Sequence, residues 1–260
     1  MSNKKYKNKL CAYCAQRQSV VGDHVFAREF FVPSQRSNLP KAPACHQCNN
    51  DKSKLEHYLT AILPFGGRHE TAKENLVTLV PARLAKNARL NRCLVSNKSR
   101  VWSKEGKLYE ATIAMPINAE SIEQLFAFIA RGLVWHYWKT YFTDEHLIEV
   151  FLLTDFGSQF FEQRFFKLNA AQRVRANLGN GTVCYEGVQG MGCPQITVWR
   201  FMIYGGLVLF GDPKSPRDTC TEIAVLTGPR RTFRIAELRY QLGLRPNEVI
   251  HSTANRTGGR

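Results

Sequence analysis

Apolar residues in this 260-residue chain recur with two periods, and the switches between them mark out the elements. Ile122, Leu125, Phe126, Ile129, Leu133 and Tyr137 fall at helical steps, predicting an amphipathic helix that Asn118 is placed to cap. His136 lies beside that stripe and reads as a packed histidine rather than a ligand. Leu55, Tyr58, Leu59 and Ile62 predict an earlier helix over 49–63, broken by Pro64-Phe65-Gly66-Gly67. A helical region over 70–94, kinked at Pro81, follows.

Strand-like runs separate these helices. A short strand over 19–25 delivers Asp23 and His24, and Pro40 and Pro43 keep the approach to Cys45 extended. Residues 101–117 read as a hairpin turning at Glu105-Gly106, and 147–154 as a strand. A helix over 157–178 carries Phe160, Phe161, Phe165 and Phe166, which suit a core better than a base-stacking platform. Residues 196–204 and 207–210 form an apolar hairpin about Gly205-Gly206. A strand over 223–226 and a short helix over 234–242 precede a tail at 246–260. The mixed order predicts an α+β chain: a basic arm at 1–10, a small module at 11–66 and a larger α+β domain at 67–245.

Composition adds a partner. Hydrophobic residues make up 44% and aromatics 11%, ordinary for a folded chain, but the net charge is +15 and the pI about 9.6. Such an excess points to a polyanion, with nucleic acid first. Lys4, Lys5, Lys7 and Lys9 give the arm a basic character without one acid. Arg83, Lys86, Arg89 and Arg92 recur at steps of three, and no acid intervenes before Glu105. Steps of three drift only slowly around a helix, so these four share one broad face that suits a DNA backbone.

The first ten residues hold no apolar signal core and no membrane-length apolar run follows, so a reducing cytoplasm is the expected setting, with no membrane. There, paired C-x2-C motifs read as metal sites rather than disulfides. Cys11/Cys14 and Cys45/Cys48 are two such pairs, spaced to close a four-thiolate site around structural Zn2+. Cys93, Cys184, Cys193 and Cys220 read as free thiols. Between the pairs lies Asp23-His24, and directly after the second lies Asn49. A carboxylate and an imidazole brought beside a carboxamide suit an oxygen-liganded cation and a general base in one cleft.

The order C-x2-C, Asp-His, Asn-Leu, C-x2-C-N-x2-K resembles the HNH endonuclease family over about the first 60 residues. The resemblance implies a zinc-stapled ββα-metal module and hydrolysis of phosphodiesters, most naturally in double-stranded DNA. It implies that Asp23 and Asn49 hold one Mg2+ or Mn2+, that His24 is the general base, and that Asn38 orients it. Asn49 stands where the family's last histidine often does, and Ala27-Arg28 replaces a frequent proline. Arg28 then either touches phosphate or lies on the surface, while Lys52 either neutralises phosphate or solubilises the helix. His57 is rotated away from Asn49. A homodimer would turn two nicks into one break, and relatives of this kind suggest phage defence or a mobile element. The alternative is a zinc ribbon that binds nucleic acid without cutting it.

Overall fold

The computed structural model describes residues 3–105, 108–210 and 219–242. Strand β1 (Val21–His24) pairs antiparallel with β2 (Lys41–Ala44), setting His24 opposite Lys41 and Asp23 opposite Ala42. Pro43 is tolerated because this sheet has only two strands, and its carbonyl accepts from the Ala12 N–H at 2.8 Å inside the first knuckle. Helix α1 (His46–Ile62) follows, starting three residues before Asn49 because Cys45 caps it, its sulfur accepting the Cys48 N–H at 3.5 Å. A tight turn over Leu63–Gly66, with Pro64 in its first positions, ends the helix as expected.

The helical region over 70–94 is three helices: α2 (Glu70–Thr78), α3 (Val80–Lys86) and α4 (Ala88–Asn97). Pro81 lies in the first turn of α3, where a missing N–H costs nothing. The unforeseen break is at Asn87, whose φ of −125° and ψ of 75° leave the helix while its side chain caps α4 through the Leu90 N–H. Arg83 and Lys86 therefore stand on a different helix from Arg89 and Arg92. Strands β3 (Ser99–Glu105) and β4 (Leu108–Ala114) form the expected hairpin, with Gly106 of its turn outside the described residues.

Helix α5 (Ala119–Trp138) is capped by Asn118, which accepts the Ser121 N–H at 2.9 Å. Its stripe of Ile122, Leu125, Phe126, Ile129 and Leu133 is fully buried. It lies on a five-stranded antiparallel sheet ordered β5-β11-β8-β7-β6, built from β5 (His146–Leu153), β6 (Val174–Leu178), β7 (Val183–Gly190), β8 (Cys193–Ile203) and β11 (Glu222–Pro229). Two short strands, β9 (Leu209–Phe210) and β10 (Thr219–Cys220), pair beside it. Between β5 and β6, α6 (Asp155–Phe161) and the irregular turns after it cover the other face, and α7 (Ile235–Gln241) closes the described chain.

Alternation on β11 divides the core. Ile223 and Val225 face α5 together with Trp199 and Phe201 of β8, whereas Ala224 and Leu226 face Phe161 and Phe166. Two sequence expectations fail here. The helix over 157–178 stops short, because Val174–Leu178 is strand β6; and β8 pairs with β7 and β11, not with residues 207–210.

The first 66 residues and the sheet share the α5 side of the core. Phe26 meets Tyr185 at 5.3 Å between ring centroids, Phe30 meets Tyr204 at 6.3 Å, and Asn75 donates to the Phe30 carbonyl at 2.9 Å. At Gly132 of α5 a Cβ would lie 2.9 Å from Val25 Cγ2, so glycine in mid-helix is what lets α5 approach the end of β1. Among the described residues no helix is long and apolar enough to cross a membrane. The tail at 246–260 lies outside the described residues.

Candidate metal centre and hydrolytic site

The four cysteines Cys11, Cys14, Cys45 and Cys48 converge, their sulfur atoms all within 4.8 Å of one another and those of Cys14 and Cys45 4.0 Å apart. Sulfurs about 2.3 Å from one tetrahedral ion would sit roughly 3.8 Å apart, so the cluster has the size and donor set for zinc. The Cys11 pKa is pulled down to about 4, first by the Cys48 thiol that donates to it and then by backbone N–H groups, against the upward push of burial. Arg131 of α5, largely buried, donates to the Tyr13 carbonyl at 2.6 Å and sets a positive charge beside the thiols. No other group of three or more metal-ligating side chains occurs among the described residues.

Immediately beneath this centre lies a buried ionic cluster. Lys52 is completely buried; its ammonium contacts Asp23 Oδ2 at 3.0 Å, donates to the His24 carbonyl at 2.8 Å and pairs with Glu56 one turn along α1. Tyr13, inside the first C-x2-C, donates to the same Asp23 oxygen at 2.5 Å. Burial and the neighbouring Asp23 charge keep the Tyr13 hydroxyl protonated, while burial pushes the Glu56 carboxyl up to about 7 against the pull of Lys52. Lys52 thus reaches no solvent and cannot meet a phosphate. Its place in the motif is to tie the end of β1 to α1.

Asp23 keeps one oxygen, Oδ1, without a hydrogen bond among the described residues. Asn49, half-buried in the first turn of α1, has its backbone N–H on the Cys45 carbonyl at 3.0 Å and its side chain free of hydrogen bonds among the described residues. The Asp23 Oδ1 and the Asn49 carboxamide are thus each left without a hydrogen-bond partner among the described residues.

His24 is half-buried, and its pKa falls to about 4, first by desolvation and then by the charges of Lys41 and Arg28, with Asp23 opposing. The imidazole is neutral at pH 7, the form able to accept a proton. Its Nδ1 is buried without a hydrogen-bond partner among the described residues. Asn38 does not supply one: it is exposed, in the left-handed region at φ 57°, and among the described residues its side chain makes no hydrogen bond to His24.

Among the basic residues singled out, Arg28 is exposed and close enough to His24 to act on its charge. Arg83 is engaged internally, donating to the Thr60 carbonyl at 2.8 Å and the Glu29 carbonyl at 2.9 Å. Lys86, Arg89 and Arg92 are exposed, and so is His57. Sequence reasoning missed Tyr13 and Arg131. A tyrosine within a C-x2-C offered a weak signal, since such a residue lies at the foot of the knuckle; an arginine 117 residues beyond Cys14 offered none.

No protein-family model, curated protein or solved structure matches the chain. The likeness to HNH enzymes therefore rests on the motif residues alone.

Proposed function

We propose that the chain is a metal-dependent endonuclease of the HNH type that cuts DNA. The observation that carries this reading is the pair Asp23-His24 on the last two residues of β1, bound through Lys52 to α1 just beyond Asn49, with the His24 imidazole uncharged. His24 takes a proton from the water that attacks phosphorus. Asp23, through its free oxygen, and Asn49 hold the divalent cation, Mg2+ or Mn2+, whose charge would offset that of the phosphate and the leaving oxygen. Lys52 and Tyr13 fix the Asp23 carboxylate, and the thiolate cluster, filled by Zn2+, fixes Tyr13.

One observation favours a second reading, a zinc-stapled protein that binds nucleic acid without cutting it. Lys52 already compensates Asp23, so the carboxylate has a structural partner without any cation. Supercoiled plasmid incubated with purified protein and Mg2+ or Mn2+ separates the two. The nuclease yields nicked or linear DNA, abolished by a chelator of divalent cations and reduced by Asp23→Ala and Asn49→Ala at unchanged zinc content. Intact plasmid, single-stranded DNA and RNA, in the presence of binding, would leave the second reading standing.

A further inference from the structure

We propose that duplex DNA is gripped through its phosphates along a lysine track formed by Lys5, Lys9, Lys139 and Lys41, which leads from the N-terminal arm and the end of α5 to His24. The basic helices α3 and α4 then lie outside the main contact. The proposal shares with the nuclease reading only the nature of the ligand, and it holds whether or not the DNA is cut.

Three ammonium groups gather about two aromatic rings. Lys139 Nζ lies 4.2 Å and Lys9 Nζ 5.6 Å from the Trp135 ring centroid, and Lys5 Nζ lies 5.9 Å from that of Tyr6. The two rings are 6.1 Å apart. Lys5, Lys9 and Lys139 are exposed, and among the described residues no carboxylate lies within ion-pair distance of these three or of Lys41. The Lys139 ammonium is accounted for in part by the fold, since it donates to the Trp135 and His136 carbonyls at 3.2 and 2.7 Å at the C-terminus of α5. The Lys9 backbone is held by Ser19, whose N–H donates to the Lys9 carbonyl at 2.7 Å and whose Oγ accepts the Lys9 N–H at 3.1 Å, but among the described residues no hydrogen bond takes up the Lys5 or Lys9 ammonium. Their charges, after burial, lower the pKa of Lys139, so the crowding is unrelieved among the described residues.

The track continues to His24 through β1 and β2. At Gly22 a Cβ would lie 2.5 Å from the Tyr6 ring, so the arm rests on that face of β1. His24, two residues on, shares the face, as does its partner Lys41 on β2. His136, next to Trp135, is 3.2 Å from the Lys41 carbonyl through its Nδ1. Lys41 and Arg28 in turn are the cations that act most on His24, ahead of Lys52. Asp23 is held toward α1 through Lys52.

The chemistry selects a duplex. Trp135 is only 3% exposed and lies beneath lysines, so it offers no platform for an unstacked base. Compact cations with no stacking surface recognise backbone phosphate, which a duplex presents with its bases turned inward.

The test measures binding of the full chain to a short duplex by fluorescence anisotropy at several salt concentrations, without divalent cations so that no cutting intervenes. Lys5→Gln/Lys9→Gln/Lys139→Gln is compared with Lys86→Gln/Arg89→Gln/Arg92→Gln, zinc content and melting temperature being checked for each. The first set is expected to weaken binding by an order of magnitude or more, and to flatten the slope of log affinity against log salt by about 0.9 for each phosphate no longer neutralised. The second set is expected to leave the slope as in the native chain. Lys5→Gln/Lys9→Gln, which leaves the α5 cap intact, gives the same answer if the triple variant is unstable. Native slope in the first set, weakening confined to the second, or a preference for single-stranded DNA or RNA would each overturn the proposal. Binding along the track without cleavage would sink the nuclease alone, and cleavage by a first-set variant with native binding would sink the track alone.

Discussion

A carboxylate held by a buried ammonium and a phenol is an expensive object, and at residue scale its members should fail unequally. Lys52→Met leaves Asp23 and Glu56 facing each other in the interior without a cation, a loss expected to be about 3–5 kcal/mol. Tyr13→Phe removes one donor from a carboxylate that keeps Lys52, and about 1–3 kcal/mol is expected. Urea denaturation of both variants checks the order; a Lys52→Met chain as stable as the native one would mean that the ammonium is not the keystone of this cluster. The members of the site were legible in the sequence as spacing: two C-x2-C pairs with Asp-His between and Asn after. Their relations were not. The motif set Lys52 three residues after Asn49 but could not tell an inward lysine from an outward one, because that depends on how β1 packs against α1. For the same reason Arg83 read as a phosphate ligand, although two backbone carbonyls take up its guanidinium.

At the scale of elements, the sheet is fastened on its α6 side by a lattice of ion pairs. Arg173 and Arg200 each reach both Glu162 and Glu186, Arg200 also approaches Glu222 at 3.7 Å, and both guanidinium groups lie over the Phe166 ring. Hydrogen bonds from Arg173, against burial and with the charges of Arg173 and Arg200, hold the Glu162 carboxyl below its usual range. A pKa depressed by folding contributes stability that is complete above the ordinary glutamate pKa and is lost as the pH falls through the folded value. Glu162→Gln should therefore cost roughly 1–2 kcal/mol at neutral pH and flatten the fall in stability below about pH 4. An unchanged acid limb in urea titrations would count against this assignment.

Elements with strong signals were readable: α5 from its stripe and Asn cap, β1 from its apolar and β-branched run, β2 from the prolines, and β11 from its apolar run. The rest lacked signals that sequence carries. Val-Cys-Tyr-Glu-Gly-Val-Gln-Gly in β7 shows little alternation, its glycines making room for partners such as Trp199. Val174–Leu178 follows a helical stretch with no proline or glycine between, so β6 was absorbed into the helix. Asn87 breaks a helix without either residue, by turning its side chain into a cap.

For the whole molecule, the excess of +15 was visible in composition, but its distribution was not. Lysines from the arm and the end of α5 meet only after folding, and the core beneath them runs unbroken from the knuckles to the five-stranded sheet. That continuity anchors Asp23 and the backbone of His24 to α1 through Lys52. The measurement that reaches the central claim most directly is the nicking rate of His24→Ala against the native chain on supercoiled plasmid with Mg2+, at matched zinc content and fold. Loss of a general base predicts a fall of about 10²–10⁴-fold. A variant that nicks at the native rate, or a native protein that never nicks while binding DNA, would contradict the assignment of His24 to the chemistry.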